Sequence, residues 1–276
     1  MVDQYAVIGH PIAQSRSPEI HTAFAKQLGQ QISYVRIEAP LHDFVGAVEA
    51  FRAGGGQGVN VTAPFKLDAY AFADRRSVRA QVAGAANTLS FDADNDAVFA
   101  DNTDGVGLVR DIRSNIGLVI RDKRVLILGA GGAVRGVLAA LANEAPVVLA
   151  VANRSPDKAH RLVAELSPGL GHRQALVVEV SALADHQYDL VINATSASLF
   201  DTVPQVPPSC FATGCLAYDM VYGRGLTPFL DVARQTGARA VDGVGMLVEQ
   251  AAEAFWLWRK ERPDTKPVIA ALQIPL

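Results

Sequence analysis

An α/β protein of two domains is what the sequence predicts, and three observations carry that reading. Short runs rich in Val, Ile and Leu alternate with amphipathic stretches along nearly the whole chain, the pattern of strands alternating with helices. One of those runs, residues 125–128, opens directly into a glycine turn and a small-residue helix. The length, 276 residues, gives room for two domains of ordinary size.

Residues 5–8 and 32–37 read as strands. Between them Ser17-Pro18-Glu19 starts a helix, with Ser17 as N-cap, proline at the first helical position and an acid in the first turn. Ile20, Phe24 and Leu28 then recur on one face. Residues 43–52 form a second helix, stopped by Gly54-Gly55-Gly56. A short strand at 58–62 is stopped by Ala63-Pro64, and 87–91 with 97–100 reads as a hairpin around 92–96. Asp104 opens a helix to about 116. Beyond the 125–128 strand come a helix over 132–143, a strand at 147–152, a helix over 156–166, and strands at 175–180 and 189–194. A strand at 216–220, a helix over about 227–236 and a strand at 238–241 follow. The last long helix, about 244–261, carries Leu247, Ala251, Ala254, Phe255 and Trp258 on one stripe.

The glycine turn carries the clearest chemical signal. Gly129, Gly131 and Gly132 let the backbone turn sharply and approach a pyrophosphate, whose charge then sits at a helix N-terminus. The third glycine of the generic G-x-G-x-x-G pattern falls at Val134, so that pattern is met only in part. The next apolar run, 147–151, ends in Ala152-Asn153-Arg154-Ser155, with Lys158 one turn on. In a dinucleotide fold this strand tip meets the adenosine ribose, and an NAD site usually places Asp or Glu there. Here a guanidinium stands instead, suited to a 2′-phosphate that a carboxylate would repel. The cofactor expected is NADP. A solvated Arg at a strand end is the plainer alternative, and its position relative to the glycine turn weighs against it.

Composition narrows the class further. Half the residues are apolar and the formal net charge is −3, so no broad basic surface is implied and nucleic acid is not expected as a partner. The opening residues lack a basic segment followed by an apolar core, so no signal peptide is expected. No apolar run approaches the ~20 residues that span a bilayer, so no membrane association is expected. Cys210 and Cys215 are the only cysteines; without a His cluster they make neither a zinc site nor a disulfide framework, and no metal is expected. They read as reduced thiols of a cytoplasmic protein.

Four polar clusters sit at element ends in the first hundred residues. Ser15 and Ser17 flank Arg16 before a helix, where two hydroxyls beside backbone N–H groups suit a carboxylate; a cap and a loop residue is the plain alternative. Alternation puts Asn60 and Thr62 on one strand face, with Lys66 following the Pro64 turn. A lone Lys is usually a surface charge. Asn87 ends the run Ala83-Gly84-Ala85-Ala86, and Asn102-Thr103-Asp104-Gly105 opens a helix, where an Asp is commonly a cap.

Together these segments resemble the shikimate dehydrogenases. The resemblance is carried by Ser15-Arg16-Ser17-Pro18, Asn60-Val61-Thr62-Ala63-Pro64-Phe65-Lys66, Gly84-Ala85-Ala86-Asn87-Thr88 and Asp101-Asn102-Thr103-Asp104-Gly105. It continues through Gly129-Ala130-Gly131-Gly132-Ala133, Asn153-Arg154-Ser155 and Asn193-Ala194-Thr195-Ser196. Tyr218-Asp219-Met220-Val221-Tyr222, Thr227-Pro228, Asp242-Gly243-Val244-Gly245-Met246 and Gln250 complete it in unbroken order. After Thr195-Ser196 the family pattern runs to a small residue and a glycine, whereas here Ala197-Ser198-Leu199-Phe200 follows.

The resemblance implies an N-terminal α/β substrate domain over 1–103 and a Rossmann-like NADP domain over 104–238. C-terminal helices over 239–276 would return to the substrate domain. It implies NADPH-dependent, reversible reduction of 3-dehydroshikimate to shikimate, with Lys66 and Asp104 as the catalytic pair. Ser15 and Ser17 would bind the substrate carboxylate with Tyr222 nearby, and Thr62, Lys66, Asn87, Asp104 and Gln250 the ring hydroxyls; Asn60 belongs with this substrate group. Gly129, Ala130, Gly131, Gly132 and Ala133 would hold the pyrophosphate, and Asn153, Arg154, Ser155 and Lys158 the adenosine phosphate. Thr195, Met220, Gly243 and Met246 would lie along the ribose and nicotinamide. A catabolic quinate/shikimate dehydrogenase is the nearest alternative and a non-catalytic NADP sensor a more distant one. A monomer or homodimer fits either.

Overall fold

The computed structural model describes residues 2–92 and 96–276, so the tip of the expected hairpin, at 93–95, lies outside the described residues. The chain divides into two compact units, Met1–Gly107 with Val248–Val268 and Leu108–Leu247 with Ile269–Leu276.

The first unit is built on six strands: β1 (Asp3–Gly9), β2 (Ile32–Glu38), β3 (Gly56–Val61), β4 (Arg75–Arg76), β5 (Thr88–Phe91) and β6 (Val98–Asp101). Their order is β2-β1-β3-β5-β6-β4. β1 runs parallel to β2 and β3, and the β3-β5-β6 stretch is antiparallel. Alternate residues of β1 supply both faces, as the period-two geometry of a strand requires. Ala6 and Ile8 pack with Phe44, Val48, Val59 and Phe65, while Tyr5 and Val7 pack with Ile12 and Tyr34. Helices α1 (Ser17–Gln27), α2 (Phe44–Ala53), α3 (Lys66–Phe72) and α4 (Val78–Ala83) connect the strands.

In the second unit β7 (Arg124–Leu128), β8 (Val148–Ala152), β9 (Leu176–Val177), β10 (Tyr188–Asn193), β11 (Phe211–Asp219) and β12 (Arg239–Val241) form one sheet. Its order is β12-β11-β10-β7-β8-β9, parallel throughout. Counted within the unit this is 6-5-4-1-2-3, the doubly wound dinucleotide-binding order, whose switch point lies between β7 and β10. The sheet is buried on both faces: Val125 and Ile127 enter one apolar cluster, Leu126 and Leu128 the other. Two of the helices here are α6 (Gly132–Asn143) and α7 (Pro156–Leu170), ahead of α8 (Pro228–Gln235). The division between units falls inside three helices, α5 (Asp104–Arg110), α9 (Val244–Arg259) and α10 (Lys266–Leu272).

Several elements depart from the sequence reading. The N-cap of α1 is Arg16, not Ser17, because the Ser17 backbone N–H is taken by the Ser15 hydroxyl at 3.3 Å. Gly56 does not end α2 but already belongs to β3. The helix from Asp104 changes winding after Arg110 and finishes as a π-helical turn, Asp111–Asn115. The 175–180 strand shrinks to Leu176–Val177; residues 178–179 are irregular and Val180 opens a 3-10 segment, Val180–Asp185. β11 begins five residues before its expected start, at Phe211. The sequence reading missed α3, α4 and α10, each too short to show a repeating stripe.

Candidate active site

In the first unit the serine pair is buried and mutually bonded. Ser15 Oγ donates to Ser17 Oγ at 3.2 Å. Two guanidinium nitrogens of Arg36 donate to the Ser15 carbonyl, at 2.8 and 2.5 Å, and fix the loop. The Ser17 hydroxyl does not cap α1; it accepts from Ser15 and shares a hydrogen bond with Tyr34.

A second cluster forms where β3 and β6 end and where β5 and α5 begin. Lys66 is the first residue of α3, and its Nζ reaches Asp104 Oδ2 at 2.6 Å. Both side chains are largely withdrawn from water, 19% and 9% exposed, so the pair is held well away from the screening that makes surface bridges weak. Asp104 is not the cap of its helix. The Thr103 carbonyl accepts the first bond of the helix, from the Gly107 N–H, and Asn102 Oδ1 accepts from the Asp104 N–H at 3.2 Å, which leaves the Asp104 carboxylate for Lys66. Asn87 Nδ2 donates to Asp104 Oδ1 at 2.8 Å and to Gln250 Oε1 at 3.2 Å. Thr62 lies half-buried at the end of β3.

Asn60 is turned inward. Its Oδ1 accepts from the Tyr34 hydroxyl at 2.7 Å and its Nδ2 donates to Thr88 Oγ1 at 3.1 Å. Burial raises the Tyr34 hydroxyl well above its usual pKa, against an opposing hydrogen bond with Ser17. At the end of β6, Arg79 binds Asp101 through two guanidinium nitrogens and Glu253 through a third at 2.8 Å. Burial pushes the Glu253 carboxyl up, but Arg79 and Arg262 outweigh it and hold the group down at about 2. This clasp anchors the segment from which Asn102, Thr103 and Asp104 depart.

The second unit presents a different kind of site. Gly129 follows β7 at φ +116, a conformation that favours glycine, and a Cβ there would meet the Ala194 backbone at 3.2 Å. Ala130 leads to Gly131, the N-cap of α6, and no side chain caps that helix end. A Cβ at Gly131 or Gly132 would meet open space, so the backbone at Gly131, Gly132 and Ala133 is accessible to an anion. At the end of β8, Asn153 Nδ2 donates to the Ser155 carbonyl at 2.9 Å and shapes the turn into α7. Arg154 and Lys158 are exposed, and among the described residues neither side chain has a hydrogen bond or ion pair. These free cations and uncapped N–H groups fit a phosphorylated dinucleotide.

The rest of this site is organised by buried Asp219. Its carboxylate accepts from Ser198 Oγ at 2.6 Å, Thr227 Oγ1 at 2.7 Å, Asn193 Nδ2 at 3.1 Å and the Val221 N–H at 3.1 Å. Burial still raises its pKa. Asn193 in turn accepts from Thr195 Oγ1 at 2.7 Å, and its carbonyl takes the Met220 N–H at 2.9 Å. Ser198, in the loop that departs from the family pattern, is thus fully buried and tied to Asp219. Gly243 packs against Met220, where a Cβ would lie 2.4 Å from the carbonyl oxygen. The Met246 N–H donates to Tyr218 Oη at 3.2 Å, and Tyr222 is half-buried just beyond β11. Asp219, Thr227 and Tyr218 all lie in segments quoted for the resemblance, but only their partners in space give them a role.

A doubly wound sheet with an uncapped glycine turn and free cations at the second strand tip defines a dinucleotide-binding fold. The family model for the shikimate dehydrogenase substrate binding domain matches residues 7–89, that for shikimate / quinate 5-dehydrogenase 111–201, and that for the shikimate 5'-dehydrogenase C-terminal domain 243–273. A shikimate dehydrogenase (NADP(+)) of Aromatoleum aromaticum is 54% identical over 99% of this chain and 97% of its own. Among solved structures, an Ael1 enzyme from Pseudomonas putida is 51% identical with a TM-score of 0.92, covering 99% of both chains. Shikimate 5-dehydrogenase from Thermus thermophilus, in complex with NADP(H) and shikimate, is 32% identical with a TM-score of 0.87, covering 99% of this chain and 98% of its own. The chain belongs to the shikimate dehydrogenase family.

Proposed function

We propose that this protein catalyses the NADPH-dependent, reversible reduction of 3-dehydroshikimate to shikimate, with Lys66 and Asp104 as its catalytic pair. The observation that carries the assignment of the pair is the shielded contact between Lys66 Nζ and Asp104 Oδ2 at 2.6 Å. In this reading Ser15 and Ser17 bind the substrate carboxylate with Tyr222, while Thr62, Asn87 and Gln250 bind ring hydroxyls. Asn60, whose amide bonds Tyr34 and Thr88, belongs with that substrate group. NADPH, when bound, supplies the hydride. Lys66 Nζ gives a proton to the ring oxygen as it becomes an alkoxide, and Asp104 keeps the ammonium aimed and offsets its charge. In the reverse direction Lys66 Nζ takes the proton back.

On the cofactor side, the N–H groups at Gly131, Gly132 and Ala133 hold the pyrophosphate beside Gly129 and Ala130. Arg154 and Lys158 clamp the 2′-phosphate, with Asn153 and Ser155 shaping the turn. Thr195, Met220, Gly243 and Met246 line the ribose and nicotinamide. The first unit is the substrate domain and the second the cofactor domain. Among the described residues no helix is long and apolar enough to cross a membrane. A cytoplasmic setting belongs to the same reading, supported by the two free, buried thiols Cys210 and Cys215. So does a monomer or homodimer, which sedimentation distinguishes.

Initial rates with shikimate and quinate, each with NADP and with NAD, test the substrate and cofactor together. We expect shikimate with NADP to be the best pair in kcat/KM. Higher efficiency with quinate and NAD would replace this reading by the catabolic one.

A further inference from the structure

Asp104 accepts hydrogen bonds and cannot donate them once ionised, and that fact fixes the direction of every link behind it. Asn87 must turn its NH₂ toward Asp104 Oδ1, which leaves Asn87 Oδ1 as an acceptor. The Thr103 backbone N–H, which can only donate, meets that same Oδ1 at 2.9 Å and independently requires the same orientation. The Thr88 hydroxyl lies 3.0 Å from Asn87 Oδ1, so it spends its one proton there. Its lone pairs then accept from Asn60 Nδ2 at 3.1 Å. Asn60 Oδ1 accepts in turn from the Tyr34 hydroxyl at 2.7 Å. The sheet supplies the spacing, because Asn60 and Thr88 are direct partners across β3 and β5, where side chains stand within mutual reach.

Each donor in this line points the same way, from Tyr34 in the apolar core to the carboxylate that holds Lys66. Thr88 is completely buried and Asn60 and Asn87 nearly so, so no solvent replaces a missing link. We propose that Thr88, with Tyr34 behind it, is a positioning residue that locks the Asn87 amide and through it aims the Asp104 carboxylate at Lys66. Neither residue touches substrate in this account. Without the Thr88 hydroxyl, Asn87 loses one of the donors that hold its oxygen away from Asp104. With only the Thr103 donors left on its oxygen, the Asn87 amide is held more loosely, and so is the Asp104 carboxylate that it orients toward Lys66. The proposal rests on the reading of Lys66 and Asp104 as the catalytic pair.

Two substitutions at Thr88 separate hydrogen bonding from packing. Thr88→Val keeps the volume and removes the hydroxyl; Thr88→Ser keeps the hydroxyl and removes a methyl group. The measurements are kcat and NADP KM with shikimate, together with Tm, and Lys66→Ala is assayed alongside. We expect Thr88→Val to lower kcat roughly tenfold, the scale of one lost hydrogen bond at a buried polar group. NADP KM should stay within about twofold, and Thr88→Ser should recover most of the turnover even where its Tm is the lower of the two. Tyr34→Phe removes the far donor together with its hydrogen bond with Ser17, so shikimate KM is read beside kcat; kcat should fall about two- to threefold, and the variant remains informative if Thr88→Val fails to fold. Loss of turnover in Thr88→Ser as large as in Thr88→Val would make the site a packing position and overturn the proposal. So would unchanged turnover in Thr88→Val, or in Tyr34→Phe where Thr88→Val does not fold. If Lys66→Ala itself turned over normally, the reading of the pair would fail instead, whatever the Thr88 variants did.

Discussion

Lys66 and Arg154 occupy comparable places, each a cation where a helix begins, and their surroundings could hardly differ more. Lys66 is held by Asp104 at 2.6 Å, and that carboxylate is held by Asn87 in turn. Arg154 is exposed, beside the equally exposed Lys158, with no partner among the described residues. A group that must move a proton is needed in one geometry before substrate arrives, and a dense internal network provides that geometry. A group that must bind a doubly charged phosphate gains most by staying unpaired, since its strongest hydrogen bonds then form with the ligand. The comparison therefore predicts that damage in the first unit appears in turnover and damage at the Arg154 corner appears in cofactor binding.

Lys66→Ala should break the first half most severely, lowering kcat by a factor on the order of 10²–10⁴. Asp104→Ala should also be severe, and the double variant less than additive, because the two side chains act as a unit. Steady-state kinetics on the three variants checks this, and fully additive losses would separate the pair.

Asn153→Asp with Arg154→Ala attacks the other half. The unaltered protein should prefer NADP to NAD by at least ~30-fold in kcat/KM, about 2 kcal/mol, the scale of charge-assisted hydrogen bonds to one phosphate. The double substitution should erase or invert that preference, mostly through cofactor KM, since the 2′-phosphate lies remote from the transferred hydride. Equal efficiency with both cofactors before substitution would contradict the role given to Arg154.

Ser15→Ala combined with Ser17→Ala sharpens the comparison within the first unit. The two hydroxyls are proposed to bind substrate, so shikimate KM should rise while NADP affinity holds. Each lost hydrogen bond to a charged group is worth roughly 1.5–3 kcal/mol. Because Ser17 is not the cap of α1, the cost in Tm should be small; a folded double variant with normal shikimate KM would make these serines structural only.

The smallest effect expected is on stability. His21 is completely buried against Tyr34, with ring centroids 4.4 Å apart, and burial lowers its pKa to about 3 while Asn60 opposes the shift. In the unfolded chain the same imidazole titrates near its ordinary value of about 6.5. As pH falls below that value the unfolded state takes up a proton that the folded state refuses until about 3, so this contribution to stability is complete above pH 6.5 and declines on acidification. Tm measured from pH 7 to 5 should therefore fall less steeply for His21→Phe than for the unaltered protein. Parallel curves would place the imidazole in contact with water.

The second unit was the more legible of the two in the sequence, because its signals are local. Residues 125–128 are apolar on both faces, a glycine turn follows at once, and α6 occupies the span its pattern predicts. The first unit hid more. The chemistry of Lys66 depends on Asp104, 38 positions away, and on Asn102 taking the Asp104 N–H so that the carboxylate is left for Lys66. Ser17 looked like a cap because its neighbours Pro18 and Glu19 form a helix start, yet Ser15 took the N–H first. Thr88 lies in a segment quoted for the resemblance and Tyr34 in none, and the roles of both follow from the register of β3 on β5 and from a ring that reaches across the sheet. The turn at Ala197–Phe200 departed from the family pattern in sequence, and it took the buried bond from Ser198 to Asp219 to show how the loop is held.

Lys66→Ala and Arg154→Ala, compared in one assay that reads shikimate kcat and NADP KM, test the division of labour most directly. The expected result is a crossed pattern: Lys66→Ala loses turnover by a factor on the order of 10²–10⁴ with NADP KM nearly unchanged. Arg154→Ala should retain turnover while its NADP KM rises roughly tenfold or more. Normal turnover in Lys66→Ala, or a loss in Arg154→Ala that falls on kcat with NADP KM unchanged, would contradict the account.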